Sequence, residues 1–347
     1  MPSLRRRSVL LGLPATLLSA TLCPTRARSR MSAVTQIGWL RNGEFAPILI
    51  AQAKGFFDAE GIDHHLVDGS AGRNPIPIVA VGQAQFGIST SGLHLVSARA
   101  AQDPVDIVAI GTLFQDSPSA FIRLADPGTP EPTPKDLEGK SVGIQAGSEY
   151  FVAAMARRNG IDESKIRVVT VQATPEPLLI GRVDYFAGWV TNQTYQIEQE
   201  AKKPDAPPTI KGKIWQALRY GKWGLPAYAD VIFTTPTVIR DQPELVTAYL
   251  RAIARGMQFI LDHPDAAIDL VAATPGQVEP RDKLVWRWNV QTPLFTSDTT
   301  RRNGLLSMEP SEWERMTSFL KGVNEIPATI PVNSLMTARF FPGPVAG

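Results

Sequence analysis

FGISTSGLHLVSARAAQDPVDIVAIGTL, residues 86–113, reads as a strand, a helix and a second strand. Residues 86–89 are a short apolar run that ends in Ser89-Thr90-Ser91. Residues 92–101 carry helical spacing. Residues 105–113 are apolar and β-branched, the pattern of a strand buried on both faces. A strand, a helix and a buried strand in sequence build a parallel or mixed sheet with helices on its faces.

The alternation extends both ways. Upstream lie a strand at 34–38, a helix at 47–54 stopped by Gly55, a strand at 64–67 and a helix at 75–81 ended by Gly82. Downstream, residues 126–134 hold four prolines, which makes a stiff connector. The alternation then restarts with strands at 141–145, 166–171 and 185–188 and helices at 149–159 and 176–180. A second Pro-rich stretch, 203–208, reads as a surface loop. Strand character returns at 231–234, followed by a long amphipathic helix at 243–263 and another helix at 309–322. A chain of 347 residues exceeds what one hydrophobic core usually serves. The expected fold is therefore α/β with two lobes, the second inserted in the first. Lobe 1 takes 31–125 plus 230–347. Lobe 2 takes 126–229, with the Pro-rich hinge connector at 126–134, and a ligand cleft lies between the lobes.

Residues 1–30 read as an export signal. A basic start is followed by an apolar run at 9–22, interrupted by Pro14 and shorter than the roughly 20 residues a bilayer span needs. Arg6-Arg7-Ser8-Val9-Leu10 is similar to a twin-arginine signal. Cys23 follows the bulky Leu22, which argues against lipidation. The net charge is +2, and the six arginines of this segment, with no acid beside them, leave the remainder at −4. A weakly acidic body with scattered charge argues against nucleic acid and against a polybasic membrane patch. One cysteine excludes a disulfide framework, and four histidines make a His-rich metal site unexpected. Nucleophile-elbow, HExxH, Walker and GxGxxG motifs are absent, so no cofactor is expected.

In open α/β sheets ligands bind at the carboxyl ends of strands. The residues there are Trp39 and Asn42, Ser89, Gln115 after Phe114, Ser148 and Glu149 at a helix start, and Trp189 and Asn192. Each also fits a structural role: Trp39 and Trp189 as core, Ser148 as a cap. Gly69-Ser70-Ala71-Gly72 reads first as a tight turn. Together these residues describe a cleft rich in aromatics and neutral polar groups, suited to a small planar heterocycle.

Several stretches resemble the solute-binding proteins of bacterial ABC importers with the two-lobed (type II-like) periplasmic fold. They are residues 38–42 (GWLRN), 51–57 (AQAKGFF) with 60–62 (EGI), 82–88 (GQAQFGI), 188–192, 224–230 (GLPAYAD), and 309–315 with 340–342. The AxxKGxF and GxxxFGI elements are shared with sulfonate, taurine and nitrate binders. The GWLRN and GLPAY segments and the tail resemble the branch that binds pyrimidine precursors of thiamine. The resemblance implies that Trp39 and Asn42 line the pocket from the first lobe, and Trp189, Asn192 and Tyr228 from the second lobe and hinge. Where relatives often carry an acid and a histidine, this chain has Thr194 and Phe45. Asp230 or Glu149 is then the candidate acid, because a carboxylate facing an aminopyrimidine supplies a charge-assisted hydrogen bond.

The leading expectation is a monomeric periplasmic protein that binds an aromatic heterocycle by hinge closure and presents it to an ABC importer permease. An organic-anion binder is the alternative, with Arg73, Ser89–Ser91 and Ser148 as anion partners. An enzyme resembling the fungal pyrimidine synthases ranks third, since those carry a cysteine-rich motif and no cysteine follows Cys23 here.

Overall fold

The computed structural model describes residues 30–70, 73–226 and 228–343. The export-signal reading, 1–30, lies outside the described residues except for Arg30, and so does Cys23.

Ten strands form two five-stranded sheets. They are β1 (Met31–Ile37), β2 (Ile62–Val67), β3 (Phe86–Ser89), β4 (Val108–Phe114), β5 (Ser119–Ala125), β6 (Ser141–Ile144), β7 (Arg167–Thr170), β8 (Tyr185–Trp189), β9 (Ile214–Arg219) and β10 (Ala229–Thr234). The first sheet has the order β2-β1-β3-β10-β4 and the second β7-β6-β8-β5-β9. In the first, β1 pairs in parallel with β2 and β3, while β10 runs antiparallel between β3 and β4. In the second, β6 pairs in parallel with β7 and β8, and β5 runs antiparallel to β8 and β9. All five strands of the second sheet thus fall between β4 and β10 of the first.

This arrangement moves the lobe boundary. Residues 119–125, assigned to lobe 1 from the sequence, pair with β8 and β9 in the second sheet. The chain crosses at 115–118 and returns at 220–228, so the 126–134 stretch is no hinge. It is a loop inside the second unit, where the Arg123 Nη2 donates to the Pro130 carbonyl at 2.8 Å and Gln216 Nε2 to the Thr129 carbonyl at 2.6 Å.

The first sheet is covered by helix Ala46–Ala53 and the long helix Pro243–Asp262, whose apolar stripe includes Leu245, Tyr249, Ile253, Met257 and Ile260. The other part of its core gathers around Phe233, Met308, Trp313 and Met316. The second sheet has its own two apolar clusters, around Phe121 and Met155 and around Phe186 and Ile197.

The two helices over the first sheet meet at Gly256, where a Cβ would lie 2.1 Å from the Pro47 carbonyl oxygen. Backbone cannot yield there as a side-chain tip can. Gly256→Ala should therefore cost about 1–3 kcal/mol in a denaturant titration, the usual penalty of overpacking. A cost near zero would mean that the helices do not touch at this point. Among the described residues no helix is long and apolar enough to cross a membrane.

Candidate functional site

The carboxyl ends of β1 and β3 and the start of β10 face the second unit across a cleft. Three adjoining cavities occupy it, and Thr90 lines all three. One, of about 590 Å³, has Trp39, Glu44, Thr90 and Lys283 on the first unit and Gln145, Trp189, Asn192, Tyr195 and Gln196 on the second. A smaller one of about 180 Å³ reaches past Ser117, Ser148, Tyr150 and Tyr220. The third, also about 590 Å³, runs along Ser70, Arg73, Asn74 and Ser89 on the first unit.

Trp39 follows β1 and Trp189 ends β8, so the two indoles come from different lobes to one cavity. Both are half-buried against the core of the first unit. Trp189 meets Phe114 edge-on, with ring centroids 6.4 Å apart and planes at 87°. Trp39 is placed by a close backbone approach. Gly69 N–H donates to its carbonyl at 2.8 Å, and a Cβ on Gly69 would lie 2.5 Å from the Ile37 oxygen. Gly69 thus holds the turn against β1. Residues 71 and 72 of the same loop lie outside the described residues.

The remaining expected residues divide. Ser89 is buried, lines the Arg73 cavity and donates to the Ser91 carbonyl at 3.0 Å. Asn192 lines the main cavity and accepts from Lys283 Nζ at 3.2 Å. Five others, Asp230 among them, do not line any of the three cavities. Asn42 caps a short turn, its Oδ1 accepting from Glu44 N–H at 2.9 Å. Gln115 is consumed at both ends, Nε2 donating to the Ser307 carbonyl and Oε1 accepting from Ser297 Oγ, each at 2.8 Å. Tyr228 packs near Trp313 and accepts from Glu309 N–H at 2.7 Å through its hydroxyl oxygen. Glu149 is the N-cap residue of helix Tyr150–Arg158 and makes no side-chain cap bond. Thr194 donates to the Val190 carbonyl at 2.6 Å.

Asp230 is fully buried, and the acid that reaches the cavity is one the sequence reading did not select, Glu44. Glu44 sits in the turn Gly43–Phe45, capped by Asn42 and pinned by Glu279 Oε2, which accepts from Gly43 N–H at 3.0 Å, and by Gln291 Nε2, which donates to the Gly43 carbonyl at 2.8 Å. Its signal in the sequence was an acid next to the apolar run of 45–51. Asp230 stands behind it with φ of +50°, a conformation few non-glycine residues adopt. No donor reaches either of its carboxylate oxygens.

The electrostatics follow from burial. Arg287 is completely buried and grips Glu279 with two hydrogen bonds, at 2.9 and 2.5 Å. Lys283 Nζ adds a third contact to Glu279 at 2.8 Å. Burial alone would raise Glu279, but Arg287 and Lys283 outweigh it and hold its carboxyl below the usual range. Glu44 is pushed up to about 7 by burial, against the pull of Arg287. Asp230 is raised well above the carboxylate range by burial and by the neighbouring Glu44 carboxyl. Among the described residues no group of three or more His, Cys, Asp or Glu is placed to hold a metal ion.

The lobes also touch at the cleft rim. Helix Arg281–Gln291 of the first unit meets helix Gln193–Lys202 of the second. Tyr195 donates to Asp282 Oδ2 at 2.5 Å, and Trp286 Nε1 donates to Glu198 Oε1 at 3.1 Å. Elsewhere Phe319 of the first unit stacks on Phe151 of the second, centroids 5.7 Å apart.

Comparison with known proteins gives the same architecture. The family model described as NMT1/THI5 like matches residues 42–267. A riboflavin-binding protein, RibY of Chloroflexus aurantiacus, is 25% identical over 339 residues, covering 95% of this chain and 92% of the relative. A 4-amino-5-hydroxymethyl-2-methylpyrimidine phosphate synthase of Legionella pneumophila is 25% identical over 312 residues, covering 88% and 91%. Among solved structures, the periplasmic aliphatic sulphonate binding protein SsuA of Escherichia coli superposes with a TM-score of 0.68 at 15% identity, over 92% of this chain and 95% of that one. The expected two-lobed periplasmic-binding-protein fold is thus found.

Proposed function

This chain belongs to the NMT1/THI5-like family, and from that premise we propose that it is an extracytoplasmic solute-binding protein for a planar nitrogen heterocycle. The observation that carries this reading is the cavity of about 590 Å³ with Trp39 on one lobe and Trp189 on the other. Two indoles from opposite lobes offer flat apolar area, and neutral amides and hydroxyls around them offer in-plane hydrogen bonds. Such a ligand ties the lobes together. Closure about the crossings at 115–118 and 220–228 then creates the surface that an ABC importer permease recognises. The names of two relatives point to riboflavin and to a pyrimidine, both planar nitrogen heterocycles.

The synthase among the relatives raises an enzymatic reading. Binding is preferred because the chain has no cysteine after Cys23, whereas the fungal pyrimidine synthases it resembles carry a cysteine-rich motif. Mass spectrometry of small molecules released from protein purified under native conditions tests the proposal. A conjugated nitrogen heterocycle near one equivalent is expected. An aliphatic sulfonate in its place would overturn it.

A further inference from the structure

We propose that Glu44 and Asp230, holding one proton between them, select the ligand: they accept a ring with an N–H donor edge, of the aminopyrimidine or amidine kind, and reject sulfonates and carboxylates. The proposal rests on the heterocycle reading above and adds the polar edge that the ring must present.

Two buried groups here lack hydrogen-bond partners, the Asp230 carboxylate and Arg287 Nη1. Asp230 is fully buried, and both of its carboxylate oxygens lack a donor. Buried polar atoms are almost always partnered, so an exception needs an explanation. Its neighbour is another carboxyl, Glu44, only 4% exposed. Two carboxylates in contact in a poorly solvated place cannot both stay ionised, and a shared proton satisfies one oxygen on each. The surrounding charges agree. The groups facing the pair are Arg287 and Glu279, with the Asn42 amide on Glu44. Lys283 joins through Glu279. Arg287 and Lys283 are two cations, and Glu279 is one anion. Neutrality of the cluster then requires one negative charge on the Glu44–Asp230 pair, hence one proton. Arg287 Nη1, itself buried and without a hydrogen-bond partner, is the cation left to face that charge.

The consequence for a ligand is directional. The shared proton is committed between the two carboxyls. Glu44 therefore presents acceptor lone pairs and partial negative charge to the cavity it lines. The one ammonium nearby, Lys283, is already paired to Glu279 at 2.8 Å and to Asn192 at 3.2 Å. A ring with an amino or amidine edge gains charge-assisted hydrogen bonds there. An anion meets like charge and loses its own hydration without compensation.

Isothermal titration calorimetry of the full exported chain with 4-amino-2-methylpyrimidine, 2-methylpyrimidine and hexanesulfonate tests this. The amino ring should bind about tenfold to a hundredfold tighter than the ring without the amino group. Glu44→Gln should erase most of that ratio, and hexanesulfonate should not saturate the wild-type protein. Equal affinity of the two rings, or an unchanged ratio in Glu44→Gln, overturns the selection and leaves the heterocycle reading standing. Failure of both rings to saturate overturns the two together. If Glu44→Gln does not fold, Glu44→Ala carries the test: a reduced ratio supports the proposal and an unchanged ratio overturns it.

Discussion

Arg287→Met should lose about 3–5 kcal/mol of stability, the usual result of removing one partner from a buried ion pair. Arg287 is completely buried, and its two hydrogen bonds to Glu279 satisfy a carboxylate that is 9% exposed. Methionine keeps most of the length and apolar stem, so the loss reports charge more than volume. After the change Glu279 retains Lys283 Nζ and Gly43 N–H, while the Glu44–Asp230 pair loses the guanidinium that faces it. The excess negative charge stays in a place that water reaches poorly. Urea denaturation with an unchanged slope and a much lower midpoint is the expected result. Adding Glu279→Gln should recover part of the loss, because the uncompensated charge is then gone. A single-variant cost under about 1 kcal/mol would mean that Glu279 is solvated, contrary to its burial.

Trp39→Ala should weaken binding of a planar heterocycle by roughly tenfold to a hundredfold, since base–aromatic stacking is worth about 1–3 kcal/mol by alanine substitution. Trp39 also packs against the first core, so some stability goes with it. The two losses separate when affinity and thermal midpoint are measured on the same variant. Trp189→Ala is the harder control, because that indole also supports Phe114 across the lobes. A Trp39→Ala protein with normal affinity and a much lower midpoint would place this indole in the core and out of the site.

Much of the first lobe was legible because its elements carry simple periodicity. The segment 86–113 became β3, a helix over Gly92–Ala100 and β4, with ends within a few residues of expectation. The hinge was harder. Four prolines at 126–134 are a loud signal, but proline marks only where regular hydrogen bonding stops, and many loops meet that condition. The real crossing, Gln115-Asp116-Ser117-Pro118, is short. The strand after it, SAFIRLA, carries Arg123, whose charge breaks the apolar run. That arginine is accommodated by Gln216 Oε1, which accepts from it at 2.7 and 3.0 Å across the sheet, a pairing invisible in one dimension.

The site shows the same limit. The strand-end rule brought Trp39, Ser89, Trp189 and Asn192 to the cleft, since it follows from topology alone. It cannot tell a side chain that faces the ligand from one that caps the neighbouring turn. Asn42 and Gln115 lie near the cleft in sequence terms yet spend their amides on Glu44 N–H, Ser307 and Ser297. Lys283 carries no signal at all, because it comes from a helix far along the chain that folds back over the turn Gly43–Phe45.

The most direct measurement is a tryptophan-fluorescence titration of protein stripped of endogenous ligand, with riboflavin, 4-amino-2-methylpyrimidine and hexanesulfonate added separately. A heterocycle held between Trp39 and Trp189 predicts saturable quenching by at least one ring at one equivalent, lost in Trp39→Ala, and no response to hexanesulfonate. Saturable response to hexanesulfonate with none to either ring would contradict the account.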